Sequence, residues 1–525
     1  MAGVKGSTNG CTKVPPEVQH TMRKSLKENE KKAKQKRGVN MQLHDVDDGE
    51  VNSRFYQPMI SKIASMGHGY VGPSYHALKV GLLRDAKLQV SLIIDSLRST
   101  WADSGCTLMG DGWKDTRQRP LINFLVYCPK GITFIKSVDA SGICTNAENL
   151  CNLFAEIVEM IGPQNVVHMV TDSAPNYKAA GGRLVERYPT IYWSPCAAHC
   201  INLILEDVGK LPHVHNLTSN ASKIISMVVD EEFRKISRSE KAKLVKQLIF
   251  NEDFWKECFM IVQIMTPLIR LLRICDADEK PSLPYVYEGM YRARLGIKNI
   301  FKKEKPLYRS YTRIIDNRWD RMLRSDIYAA AYFLNPAFLY DQKNFCDKAE
   351  ITRGVLNLIE KQKGSLSETK LVSTLRCYRD RELNLSREMA LTCSKTTRPD
   401  EWWKLFGCDI PDLQKLAIRI LSQTASSSGC ERNWSVFERI HTKKRNKLEH
   451  QRLNDLVYVH YNLRLQNRYG TRRSYDPVDY ESIDKTEFWI VEEEGEGELD
   501  FSELEDKLLE EYPKDGEELN HGDAD

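Results

Sequence analysis

Cys106-Thr-Leu-Met-Gly-Asp-Gly-Trp113 and Leu121-Ile-Asn-Phe-Leu-Val-Tyr-Cys128 are two β-rich runs, and Pro129-Lys130-Gly131 turns the second into a third, Ile132-Thr-Phe-Ile-Lys-Ser-Val138. Alternation and turn chemistry predict three adjacent antiparallel strands. Asp111 lies between two glycines, and the first strand is expected to end there in a tight turn. Working outward, Leu150, Leu153, Phe154, Ile157 and Val158 recur at helical spacing. The helix they predict leads into Val166-Val167-His168-Met169-Val170, an apolar run entered from a crossover, which is how a buried parallel strand reads. A helix over 174–186, a short strand Ile191-Tyr-Trp-Ser194 and a helix over 197–208 follow.

Three antiparallel strands, a crossover helix and a parallel strand carrying an acid at its end are the order of a ribonuclease-H-like α/β fold. From about 215 to 400 the pattern turns helical, as in 254–272 and 327–333, and reads as a large all-α insertion into that core. The last folded stretch holds one helical stripe of Leu413, Leu416, Ala417, Ile420 and Leu421, a polar break over 422–429, and a helix from about Cys430. A third helix carries Leu453, Leu456, Val457, Val459, Tyr461 and Leu463, a face too broad for one neighbour, so a second copy of the chain is expected to cover it.

The chain has 525 residues with 41% hydrophobic content, enough for two to four domains with real cores. The formal charge of +4 conceals an asymmetry. Residues 491–525 hold sixteen acidic residues against two Lys, which leaves 74 Lys and Arg against 56 Asp and Glu before them, a body of net +18. A basic body suits a polyanion partner, and the acidic tail is either solvated or a mask for the patch. The run from Arg23-Lys24 through Lys36-Arg37 reads as a nuclear localisation signal or a phosphate-contacting arm. No apolar run approaches the ~20 residues that span a bilayer, so no transmembrane helix is expected. The fourteen cysteines lack any Cys-x-x-Cys pair, and no zinc finger is recognised; with no secretory signal they are expected to stay reduced thiols.

Asp111 and Asp172 fall at strand ends that lie side by side in this fold order. Adjacent carboxylates repel unless a divalent metal neutralises them, while spacing alone reads them equally as turn and helix caps. Cys196 and His199 share one helical face, but a zinc site needs about four ligands and no second pair stands near. They read as a buried thiol and a hydrogen-bonded imidazole packed beneath the site.

At this point a pattern emerges. Gly110-Asp111-Gly112-Trp113-Lys114-Asp115, Arg119-Pro120-Leu121-Ile122-Asn123-Phe124, Thr171-Asp172-Ser173-Ala174-Pro175-Asn176 and Trp193-Ser194-Pro195-Cys196-Ala197-Ala198-His199 resemble the plant hAT-transposase-like family. Ser426-Ser-Ser-Gly-Cys-Glu431-Arg432-Asn433-Trp434-Ser435, then Lys443-Lys444-Arg445-Asn446 and Leu453-Asn454-Asp455-Leu456-Val457-Tyr458, resemble that superfamily's C-terminal dimerisation region. The resemblance covers roughly 72–465. It implies a catalytic, metal-binding triad of Asp111, Asp172 and Glu431, with the long separation before Glu431 filled by the helical insertion. In such enzymes two Mg²⁺ (or Mn²⁺) ions held ~3.5–4 Å apart drive DNA strand cleavage and transfer. Trp113, Cys196 and His199 become structural neighbours of the site. Lys443, Lys444 and Arg445 become DNA contacts, and Leu453, Leu456, Val457 and Tyr461 dimerisation residues.

The resemblance departs in two places. Relatives begin with a BED-type zinc finger, of which only something like the trailing edge, Cys11-Thr-Lys-Val-Pro-Pro-Glu-Val18, is present here. They also carry a stretch with a Thr-Arg-aromatic segment for which there is little room between Leu217 and Phe250. The expected layout is a basic, largely disordered arm (1–71), a core part (72–210), the helical insertion (211–397), the dimerisation region (398–467) and a disordered acidic tail (468–525). The expected function is a nuclear, transposase-derived protein that dimerises and associates with DNA with weak specificity, without mobilising it. The alternative is an active DDE-type transposase. Its partners are a second copy and DNA, with no membrane and no small-molecule substrate.

Overall fold

The computed structural model describes residues 56–67, 70–71, 74 and 81–470, apart from 116–117, 143–145, 230–239, 278–279, 362–367 and 441–449. The chain divides into two compact units, Met1–Val80 and Gly81–Asp525. In the first, the expectation of a largely disordered arm meets a helix, α1 (Tyr56–Ser65). The basic run of 23–37 and the acidic tail lie outside the described residues.

The second unit opens with α2 (Leu82–Ser104), followed by β1 (Cys106–Lys114), β2 (Pro120–Cys128) and β3 (Gly131–Asp139). Asn146 caps α3 (Ala147–Ile161) by accepting from the Asn149 amide at 2.8 Å, and β4 (Val166–Thr171) follows the crossover. Next come α4 (Pro175–Arg187), with proline in its first turn, β5 (Tyr192–Pro195) and α5 (Ala197–Gly209). The sheet order is β3-β2-β1-β4-β5. β1 pairs antiparallel with β2 and β2 with β3, while β1–β4 and β4–β5 are parallel. The strand readings therefore hold, with one correction at β1. Asp111 does not end the strand in a turn, because Asp111 pairs with Asn123 and the ladder continues to Lys114.

After β5 every described element is helical: α6 (Pro212–Val229), α7 (Glu240–Ile249), α8 (Glu252–Asp276), α9 (Leu283–Ile300), α10 (Lys305–Arg318), a π turn (Trp319–Leu323), α11 (Asp326–Leu334), α12 (Pro336–Leu339), α13 (Ala349–Lys361), α14 (Glu368–Arg379), α15 (Glu388–Cys393), α16 (Pro399–Phe406), α17 (Pro411–Leu421), α18 (Ser428–Ile440) and α19 (His450–Gly470), with one 3₁₀ turn, Leu383–Ser386, among them. A single apolar core runs from Val170 and Ile201 through Leu268, Val286 and Tyr328 to Trp402 and Leu416, so the helical stretch and the C-terminal region share one interior. α8 is long and apolar enough, by length and composition, to cross a membrane, although polar residues interrupt its apolar positions along the sequence. Its Ile264, Leu268 and Leu271 are buried in that core.

The two faces of the sheet are covered differently. α3 and α4 pack on Leu108, Ile122, Phe124 and Met169. The other face, with Met109, Trp113, Leu125 and Phe134, takes α18 and α19. Here the expectation that a second copy must cover α19 is corrected. Leu453, Val457, Tyr461 and Leu465 are buried against the chain's own sheet, and Leu456 is half-buried beside them. Two asparagines eight residues apart, hence on one side of the helix, lock α19 to the edge strand β3. Asn454 Oδ1 accepts from the Ser137 amide at 2.8 Å, and Asn462 both accepts from the Phe134 amide at 2.9 Å and donates to its carbonyl at 3.0 Å. A helix thereby satisfies backbone groups that an open sheet edge leaves unpaired.

Candidate acidic site

Register places the first two carboxylates. Gly110 of β1 is the partner of Thr171 in β4, so Asp111 and Asp172 come next at adjacent positions where the parallel pairing runs out. The flanking glycines serve close approach rather than a turn. A Cβ on Gly112 would collide with the Tyr177 hydroxyl of α4, and one on Gly110 would press the Phe124 ring at 3.2 Å.

Glu431 arrives from the far end of the chain in the first turn of α18. The stretch that delivers it, read from sequence as a polar break, is buried and tied by hydrogen bonds to several elements. Gln423 accepts from Thr107 Oγ1 at 2.8 Å and donates to the Ser104 carbonyl at 2.9 Å. The Leu283 amide donates to the Gln423 carbonyl at 3.1 Å, and the Ala197 amide to the Ala425 carbonyl at 2.9 Å. The Ser427 amide reaches Cys196 Sγ at 3.4 Å, and Ser426 Oγ contacts that sulfur at the same distance. Serine and threonine suit such a seam, because each hydroxyl both donates and accepts. β1, α5 and α9 are thus tied to the chain just before Glu431.

Asp111 senses the other two carboxylates. Asp111 is only 6% exposed. Burial first, then the negative charges of Glu431 and Asp172, hold its carboxyl well above the usual carboxylate range, against one backbone hydrogen bond from Gly112. Partial desolvation and Asp276 raise Glu431, while His199 and Arg432 oppose. Burial, with Asp111 and Asp172 adding, also drives the Tyr177 hydroxyl upward. Asp172 accepts from the Ser173 amide at the mouth of the site. His199 Nε2 stands 3.9 Å from Asp172 Oδ1 with both side chains more than a third exposed, so His199 lines the site's open rim rather than packing beneath it as expected. Cys196 is buried as expected. Trp113 stacks on Trp434 with centroids 5.9 Å apart and meets Phe437 edge-on, roofing the cluster from the α18 side.

Sequence reasoning missed two members. Asp276 ends α8 and pairs with Arg432 at 3.3 Å; an acid at the negative end of a helix dipole was the available signal. Tyr177 gave none, since helical spacing marks it only as core. Lys443, Lys444 and Arg445 lie outside the described residues. Among the described residues, no three His, Cys, Asp or Glu side chains are closed into a metal-ligand set. The donor chemistry nevertheless fits a hard divalent cation: Asp111, Asp172 and Glu431 offer only carboxylate oxygens, and their mutual repulsion is what such a cation relieves.

Two comparisons with known families bear on this site. Residues 73–224 match the family described as Domain of unknown function (DUF659), and residues 375–463 match the hAT family C-terminal dimerisation region. Comparison with curated proteins finds no match. Asp111 and Asp172 fall in the first region and Glu431 in the second, and these two matches in one chain support a hAT transposase-like protein.

Proposed function

We propose that this is a nuclear, transposase-derived protein that self-associates through its C-terminal region, associates with DNA without mobilising it, and accepts Mg²⁺ or Mn²⁺ at its acidic cluster. The observation that carries this reading is that carboxylates from both family-matched regions share one site. The order β3-β2-β1-β4-β5, with three antiparallel strands and two parallel ones, supports a ribonuclease-H-like core. Asp111, Asp172 and Glu431 would hold the cation, which when bound supplies Lewis acidity toward a phosphodiester. Arg432 brings positive charge to the site's edge, and His199 lines the rim where a phosphate would approach. The net +18 of residues 1–490, together with Lys443, Lys444 and Arg445, supports backbone contacts that are steeply salt-dependent and nearly blind to sequence.

Loss of mobilisation is supported by the short stretch between Leu217 and Phe250, which leaves little room for the Thr-Arg-aromatic segment of relatives, since phosphoryl chemistry demands that DNA be positioned to a fraction of an ångström. The convergence of all three carboxylates favours the second reading, an active DDE-type transposase. Incubation of the purified chain with Mg²⁺ or Mn²⁺ and transposon-end DNA separates the two. The first predicts salt-sensitive binding and no cleavage or joining. Strand cleavage that disappears in Glu431→Ala, with the fold intact, establishes the second.

A further inference from the structure

The outer side of α10 carries a row of cations that its surroundings leave unneutralised. Lys305, Arg309 and Arg313 recur at every fourth residue and all three are exposed, so they share one face of the helix in steps of ~6 Å. Behind them Tyr311, Thr312 and Ile315 are buried. The chain holds no acid from 305 to 315. The nearby acids are already engaged: Asp316 with Arg294 at 2.7 Å, Asp207 with Arg318 at 2.7 Å and Asp320 with Arg324 at 3.2 Å. Lys302 and Lys303 extend the row at one end and Arg321 of the π turn at the other, all three exposed. Among the described residues none of these six cations has an ion-pair partner.

The two ends give the row a purpose and a direction. Lys302 and Lys303 are consecutive left-handed residues, with φ of 48° and 63°. Glycine adopts that conformation freely and lysine only at a cost, so the turn keeps two charges that its backbone disfavours. Its closure is firm, because the Lys302 amide donates to the Asn299 carbonyl at 2.9 Å and the Lys303 amide to the Lys298 carbonyl at 2.8 Å. At the other end the Arg321 carbonyl accepts from Lys178 Nζ at 3.2 Å, and Lys178 lies on α4 six residues past Asp172. The π turn also packs on β5, the strand paired with β4, after which Asp172 comes. The row therefore begins at the flank of the acidic site and runs outward from it.

We propose that this face is a track for the phosphate backbone of duplex DNA, from the π turn beside the acidic site to the Lys302-Lys303 turn. It rests on the reading that the chain associates with DNA. Charge complementarity calls for a polyanion, and length suits a duplex. The 14 residues of α10 span ~21 Å. One strand of a duplex presents a phosphate every ~3.4 Å along its axis, about six over that length. Single strands are held by bases stacked on exposed aromatic rings. Here Phe301, Tyr308 and Tyr311 pack into the core instead.

The test uses the full-length chain and a fluorescent random-sequence DNA duplex, with binding followed by anisotropy across a salt series and thermal melting as the control for folding. Wild type is expected to bind with log K falling linearly in log salt. The double variant Arg309→Gln, Arg313→Gln is expected to lose about 2 from the magnitude of that slope, at ~0.9 per phosphate contact. Lys302→Gly with Lys303→Gly is expected to lose as much while melting no lower than wild type, since glycine relieves the left-handed backbone. Lys343→Gln with Lys395→Gln, an exposed pair outside the row, is expected to keep the wild-type slope. Row variants that bind the duplex with the wild-type slope overturn the inference and leave the DNA reading standing; if those variants have lost binding to polyglutamate, the face belongs to an acidic protein. An equal loss in the Lys343, Lys395 pair overturns it as well, because net charge alone then sets the affinity. Tighter binding of the same DNA as a single strand overturns the duplex assignment. Wild type that binds no DNA overturns both readings.

Discussion

At the residue scale, Gly112 and His168 show how single positions decide local stability. Gly112 lets the Tyr177 hydroxyl sit where a Cβ would be, against the backbone that carries Asp111. Gly112→Ala is expected to destabilise by about 1–3 kcal/mol, as overpacking does, and Tyr177→Phe in the same chain to recover much of it; thermal melts of the single and double variants check this. His168 is buried in β4 between two partners of fixed role. The Thr424 carbonyl at 3.1 Å can only accept, so Nδ1 carries the proton, and Nε2 accepts from Ser194 Oγ at 2.9 Å. Burial lowers its pKa to about 4, with the Thr424 hydrogen bond opposing. Because the folded pKa lies below the unfolded value of ~6.5, the unfolded chain binds the extra proton between them. Stability is therefore full above about pH 6.5 and falls as the pH drops toward 4, by on the order of 3 kcal/mol at ~1.4 kcal/mol per pKa unit. Urea unfolding at pH 7 and pH 5 measures the slope, and His168→Gln is expected to flatten it.

At the element scale, the sequence was most legible where one pattern meant one structure. The alternating runs of β2 and β3 and the apolar run of β4 announced their strands, and turn residues fixed their order. It was least legible where an element's partner lies far along the chain. The face of Leu453, Val457 and Tyr461 was read as demanding a second copy because nothing local to it could say that the sheet of residues 106–139 covers it. The seam at 422–427 read only as part of a polar break for the same reason, since its hydrogen-bond partners Thr107, Cys196 and Ser282 are scattered along the chain. Around the site, Asp276 and Tyr177 became visible only in three dimensions. A consequence for α19 follows: Leu453→Ala is expected to cost about 2–5 kcal/mol through the cavity it leaves, read as a lowered melting temperature, while sedimentation of the folded variant at micromolar concentration gives the same oligomeric state as wild type. Dissociation of a dimer with no loss of stability would restore that face as an interface.

At the scale of the whole molecule, residues 73–224 and 375–463, matched to separate families of domains, meet along one face of one sheet. The site exists only where they meet. The helices of the stretch 225–374 between them share a core with both, and α8 contributes Asp276 to the site's edge. Self-association, suggested by the dimerisation-region match, therefore belongs to surfaces other than the buried face of α19. The central claim is that Asp111 and Glu431, 320 positions apart, form one electrostatic unit. The direct measurement is the carboxyl titration of Asp111 by ¹³C NMR in protein labelled at aspartate, assigned with Asp111→Asn and repeated in Glu431→Gln. The account predicts a midpoint well above the ordinary aspartate value of ~3.9 that moves down when the Glu431 charge is removed. An Asp111 that titrates near that ordinary value and ignores Glu431→Gln would contradict it.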